Sequence, residues 1–295
     1  MLEGASPRLV EIMVCRSAAR LAVAVWFGTL VVFAGIAFSG RAAADPPAPG
    51  PARTIVVFGD SQAQGVAAAL RRLYVRDRLY RIVDKTVPGT SLSQKAQYDW
   101  VGTIDSWLSG DHADVAVVMF GGNDRLAVRT EAGGKAIAYK TDAWTEMYTE
   151  RLNSVLGLLS GAKLPVVWLG QPVAREAGYA ADMAYLNGIF EATVPGAGGD
   201  YLPLWDVIAD ESGNYMAYGK ALDGETKRLR LDDGIHFTPA GYDIIVAKVK
   251  QEIDTMLAKS AAAEPAAPAA VPAAAAPTPA AAPGTSIVAN SPAHS

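Results

Sequence analysis

Cysteine is almost missing from this chain: the one residue, Cys15, lies ahead of the longest apolar run. The part able to fold therefore holds no disulfide, no thiolate nucleophile and no cysteine-based metal site. Histidine is nearly as scarce. His112, His236 and His294 are all there are, which leaves few candidates for a general base and argues against a histidine-rich metal centre. Positive charge is not in excess. The formal net charge is -4, so there is no basic footprint and nucleic acid is not an expected partner. Charge of either sign is absent from Leu21 to Phe38.

That uncharged stretch reads LAVAVWFGTLVVFAGIAF, with Arg16 and Arg20 before it and Ala42-Ala43-Ala44 after it. A basic flank, an apolar run and a small-residue A-x-A site make a secretory signal. The run is nearly long enough to span a bilayer, so an uncleaved membrane anchor is the competing reading. Glu3 and Glu11 suit a signal poorly, and a start at Met13 would give a cleaner basic region. Residues 1–44 are thus expected to be a signal peptide or anchor and 45–52 a linker. From residue 261 the chain alternates alanine and proline. Such runs neither sustain a helix nor pack a core, so 261–295 is expected to be a disordered tail. The domain left between the ends, 53–260, is of ordinary size. An exported protein, periplasmic or secreted, is the expectation.

Within that domain, short apolar runs alternate with helical spacing. Strands are expected at Thr54–Phe58, Tyr80–Val83, Ala113–Phe120, Pro165–Leu169 and Tyr201–Val207. Helices are expected at Gly65–Tyr74, Gln94–Leu108, Thr141–Leu159, Ala181–Ala192 and Thr238–Leu257. Apolar strands separated by helices indicate an α/β domain with a parallel sheet covered on both faces. Active sites in such sheets form at the carboxyl ends of the strands. Arg125–Lys140 and Gly213–Leu231 break the rhythm with alternating patterns around EAGG and LDGE, and read as β-hairpin insertions.

Four signals gather at those carboxyl ends. The first strand runs into Gly59-Asp60-Ser61, which places a serine in a strand-to-helix turn, exposed and beside a helix N-terminus. The second is followed by Gly89 and the third by Gly121-Gly122-Asn123-Asp124, where an asparagine amide can donate to developing negative charge. Asp233-Gly234-Ile235-His236 precedes the last helix, and that spacing can set a carboxylate against an imidazole. Each signal alone also reads as an ordinary turn. His112 would lie at the opposite sheet edge, which leaves His236 as the base. Arg125 could bind an anion or be a solvated surface residue. Trp168 and Gln171, at the end of the fourth strand, are candidate substrate contacts, with core packing the other reading for Trp168.

Taken together, GDSxxxG (Gly59 to Gly65), Gly89, GxND (Gly121 to Asn123-Asp124) and Asp233-x-x-His236 resemble the SGNH hydrolases, the GDSL-like lipases and esterases. The resemblance spans almost the whole domain. It implies a three-layer flavodoxin-like fold, Ser61 as nucleophile, His236 as base, Asp233 orienting the base, and an oxyanion hole from Ser61, Gly89 and Asn123. No metal or organic cofactor is implied. The expected substrate is a small acyl ester, such as acetyl, on an envelope carbohydrate. An O-acyltransferase with the same triad, and a glycan-binding scaffold with a vestigial site, are the alternatives.

Overall fold

The computed structural model describes residues 52–76, 79–129 and 134–263. The expected signal or anchor, most of the linker and nearly all of the tail lie outside these residues. Among them, no helix is long and apolar enough to cross a membrane.

The chain alternates strand and helix: β1 (Arg53–Gly59), α1 (Ser61–Tyr74), β2 (Tyr80–Thr86), α2 (Trp100–Leu108), β3 (Val115–Met119), α3 (Asp142–Gly161), β4 (Val166–Leu169), α4 (Ala177–Thr193) and β5 (Asp200–Leu202). A two-stranded hairpin, β6 (Tyr218–Lys220) and β7 (Thr226–Arg228), precedes the last helix, α5 (Pro239–Ala263). The five long-range strands form one parallel sheet in the order β2-β1-β3-β4-β5.

Strand side chains alternate between faces, and both faces are apolar because both are covered. Ile55, Val57, Val117 and Leu169 pack with the buried sides of α1 and α5. Val56, Phe58, Val118 and Trp168 pack with α2, α3 and α4. The second layer is rich in aromatics: Trp144 stacks on Tyr148 at 4.7 Å, and Trp100 meets Phe120 edge-on at 4.9 Å. Three layers result, with β1 and β3 at the centre. The chain leaves β1 for β2 on one side and later returns to β3 on the other, so the sheet reverses order there. In open parallel sheets, such a reversal is where loops at the carboxyl ends of two strands diverge and sites form.

Several boundaries differ from the sequence expectation, each for a local reason. α1 starts at Ser61 rather than Gly65, because Asp60 caps it by accepting the Gln62 N–H at 2.9 Å. α2 starts at Trp100, not Gln94, since Asp99 accepts the Gly102 N–H and begins the helix there. β5 ends at Leu202, where Pro203 has no N–H to continue a ladder. Gly213–Leu231 does contain a hairpin, with Gly224 at φ 82° in its turn. Arg125–Lys140 does not form one among its described residues: a single bridge, Val128 with Ile137, replaces the expected strands. α5 continues to Ala263, past the expected domain limit at 260.

Candidate active site

The exit of β1 is built for close approach. A Cβ on Gly59 would fall 2.0 Å from the Met119 carbonyl oxygen, and its φ of 139° suits glycine alone. Asp60 follows as helix cap, so Ser61 opens α1. Its hydroxyl thus sits at the positive end of a helix.

The partner comes from the far end of the chain. Ser61 Oγ lies 2.7 Å from His236 Nε2, and His236 Nδ1 lies 2.7 Å from Asp233 Oδ2. The other Asp233 oxygen accepts the N–H groups of Ile235 and His236 at 2.8 and 2.9 Å. Gly234, at φ 73°, makes the tight turn that lets the carboxylate reach back. Burial works to raise the Asp233 pKa, but these three donors outweigh it and hold the carboxyl below its usual range. It is therefore an anion at neutral pH, placed to fix one ring tautomer and to stabilise an imidazolium. His112 is exposed in the loop before β3, at the opposite edge of the sheet.

The loops after β2 and β3 complete the rim. Gly89 turns at φ 77°. Asn123 donates one amide hydrogen to the Thr90 carbonyl at 2.9 Å, which ties the two loops together and leaves the second hydrogen for another acceptor. Asp124 is fully buried and accepts the Ser93 N–H at 2.6 Å, a second tie. Burial pushes the Asp60 pKa up to about 7 and that of Asp124 up to about 6, and the Asp124 carboxyl adds to the cost of ionising Asp60.

The three expected substrate contacts are each engaged by other groups of the protein. Trp168 has no exposed surface; its ring is enclosed between Phe120 and Phe190, because alternation along β4 turns it into the helical layer. Gln171 is equally buried. It accepts from Gln62 Nε2 at 2.9 Å and donates to the Phe120 carbonyl at 2.8 Å, so it locks the ends of β3 and β4 to α1. Arg125 is half-buried and not free: its Nε donates to Asp182 at 2.9 Å and its guanidinium covers Tyr179 at 4.4 Å.

Two residues near the site carried no sequence signal. Tyr179, on α4, donates its hydroxyl to the Gly122 carbonyl at 2.7 Å and supports the Gly121–Asn123 turn. Arg230 is fully buried beneath the Asp233–His236 turn. Among the described residues, no cluster of three or more histidine, cysteine or carboxylate side chains could hold a metal ion.

The family model described as "Protein of unknown function (DUF459)" matches residues 54–252, and the chain belongs to that family. No curated protein matches it. Among solved structures, a GDSL-like lipase from Bacteroides thetaiotaomicron VPI-5482 superposes with a TM-score of 0.50 at 18% identity, over 69% of this chain and 89% of the other. A protein from Bacteroides fragilis NCTC 9343 proposed to be an acylhydrolase gives 0.50 at 16% identity, over 70% of this chain and 88% of its own. The fold is that of the GDSL-like, or SGNH, hydrolases.

Proposed function

We propose that this DUF459 protein is a serine esterase, with Ser61 as nucleophile, His236 as base and Asp233 as the residue that orients the base. One observation carries the reading: an unbroken path of two 2.7 Å contacts joins Ser61, His236 and Asp233 at the carboxyl end of the sheet. In this mechanism His236 Nε2 takes the Ser61 proton as Oγ attacks the ester carbonyl. The N–H groups of Ser61 and Gly89 and the Asn123 amide bind the resulting oxyanion. His236 returns the proton to the leaving alcohol, and a water attacks the acyl-enzyme by the same route.

The substrate in this reading is a small acyl ester, such as acetyl, on an envelope carbohydrate met after export. The charge-free Leu21–Phe38 run and the A-x-A site support export, and a mature N-terminus at Asp45 or an intact anchor is what mass spectrometry should find. Polar side chains of the insertions, Lys135, Tyr139, Asn214, Tyr215 and Lys220, support a hydroxyl-rich ligand.

The direct test is hydrolysis of p-nitrophenyl acetate by protein lacking residues 1–44. Ser61→Ala should lower kcat by about 10⁴ or more. Undiminished turnover in that variant overturns the assignment. On longer p-nitrophenyl esters, kcat/KM that climbs steadily past about eight carbons would instead indicate a lipase, because each buried methylene contributes about 0.8 kcal/mol. Acyl transfer to an added sugar that outruns release of free acid would indicate an acyltransferase.

A further inference from the structure

Arg230 is an unusual residue to find with no exposed surface. Among the described residues its partners are two carbonyls and two rings, and none is a carboxylate. Nη2 donates to the Gly234 carbonyl at 3.3 Å and to the Ile235 carbonyl at 3.1 Å. The guanidinium lies 4.0 Å from the centre of the Phe237 ring and 4.9 Å from that of Tyr215. Burial lowers its pKa only to about 10, so it is a cation at neutral pH.

Burying a cation with no carboxylate in hydrogen-bond contact costs several kcal/mol, which two carbonyls, two ring faces and the nearby Asp233 charge offset in part. Well-packed apolar side chains commonly replace buried charged groups with no loss of stability. The carbonyls that Arg230 engages explain why it is there. Gly234 and Ile235 are the two residues between Asp233 and His236. From the outer side, Arg175 grips the same turn: its N–H donates to the Gly234 carbonyl at 3.0 Å and its Nη2 to the Asp232 carbonyl at 2.6 Å. The turn is thus held between a guanidinium beneath and a guanidinium at its edge. Of the two, only Arg230 reaches Ile235, the residue that directly precedes the histidine.

We propose that Arg230 is a positioning residue: it sets the Ile235 carbonyl and so fixes the direction in which His236 faces Ser61 and Asp233. It touches neither the substrate nor the reacting atoms. A base displaced by about 1 Å loses on the order of 10²-fold in rate without any change in substrate contacts. Arg230 therefore acts on kcat and leaves KM alone.

The test compares Arg230→Met and Arg230→Lys in the full-length chain. In folded Arg230→Met, kcat for p-nitrophenyl acetate should fall about 10²-fold with KM within about twofold and the melting temperature little changed. Arg230→Lys, which keeps a donor and a charge, should recover most of the loss. The proposal rests on the Ser61–His236 reading for this kinetic arm alone. An independent arm follows the downfield NMR signal of the proton between His236 Nδ1 and Asp233 Oδ2. It should broaden or vanish in Arg230→Met and persist in Arg230→Lys, whether or not the protein is an esterase. A sharp, unshifted signal in Arg230→Met overturns the proposal, as does wild-type kcat. A loss of activity that tracks only the loss of folded protein does so too. If Arg230→Met does not fold, Arg230→Gln carries the same comparison.

Discussion

The ring of Tyr242 occupies the space that a side chain on Gly65 would need: a Cβ at Gly65 would fall 1.9 Å from Tyr242 Cζ. The glycine ends the GDSxxxG motif and the tyrosine lies six residues after His236, so segments nearly 180 residues apart meet where α1 packs on α5. Gly65→Ala should therefore destabilise the domain by about 1–3 kcal/mol through overpacking. In a Tyr242→Ala background the clash disappears and the sign should reverse, since alanine is favoured over glycine within a helix by up to about 1 kcal/mol. Thermal melts of the four proteins measure this coupling, and simple additivity would refute it.

Asp233→Asn preserves the shape of the turn but replaces an anion with an amide that must donate or accept by its own pattern. It can no longer stabilise an imidazolium or enforce the tautomer with Nδ1 protonated. The expected result is a fall in kcat of about 10³ to 10⁴ with KM little changed. A loss below tenfold, measured by steady-state kinetics on p-nitrophenyl acetate, would mean that His236 is oriented by something else.

Asp60 and Asp124 lead to a pH prediction whose sign runs against the usual one. Their folded pKa values, about 7 and about 6, lie above the ordinary carboxyl value. The folded state therefore binds more protons than the unfolded chain. The stability they contribute is complete below about pH 4 and is lost as pH rises towards 7. Asp182 and Asp233 have lowered values and titrate below that window. Asp60→Asn keeps a helix cap and removes one titration. Its urea midpoint should gain on wild type between pH 5 and pH 8, by up to about 4 kcal/mol in free energy. A constant difference across that range would show that Asp60 ionises freely.

Much of the site could be read from the sequence because its parts are local. A cap, a serine and a helix start are contiguous at residues 60–61, and the Asp233–His236 spacing belongs to one turn. The parallel sheet was equally legible, since Ile55 to Phe58 and Val115 to Met119 are buried on both sides and carry no polar alternation. What misled was position without direction. Trp168 and Gln171 do stand at or just past the end of β4, but alternation turns the first into the core, and Gln171 is held by partners 51 and 109 residues away. Arg230 could not be found at all. In the run Arg228-Leu229-Arg230 it looks as solvated as its neighbour, and only the fold brings the rings of Tyr215 and Phe237 over it.

Ser61 and His236 stand 175 residues apart in the chain. At roughly 5 to 20 residues per second, a ribosome takes roughly 10 to 35 seconds to make the second after the first. Throughout that interval the serine has no base within reach, and the face of α1 that α5 will cover is bare. On the serine-esterase reading, the nucleophile is inert by default and is armed only when the segment before the last helix docks. On that reading, a chain cut short anywhere before His236 is not a weakened catalyst but an unarmed one, whatever else of the sheet it has managed to fold.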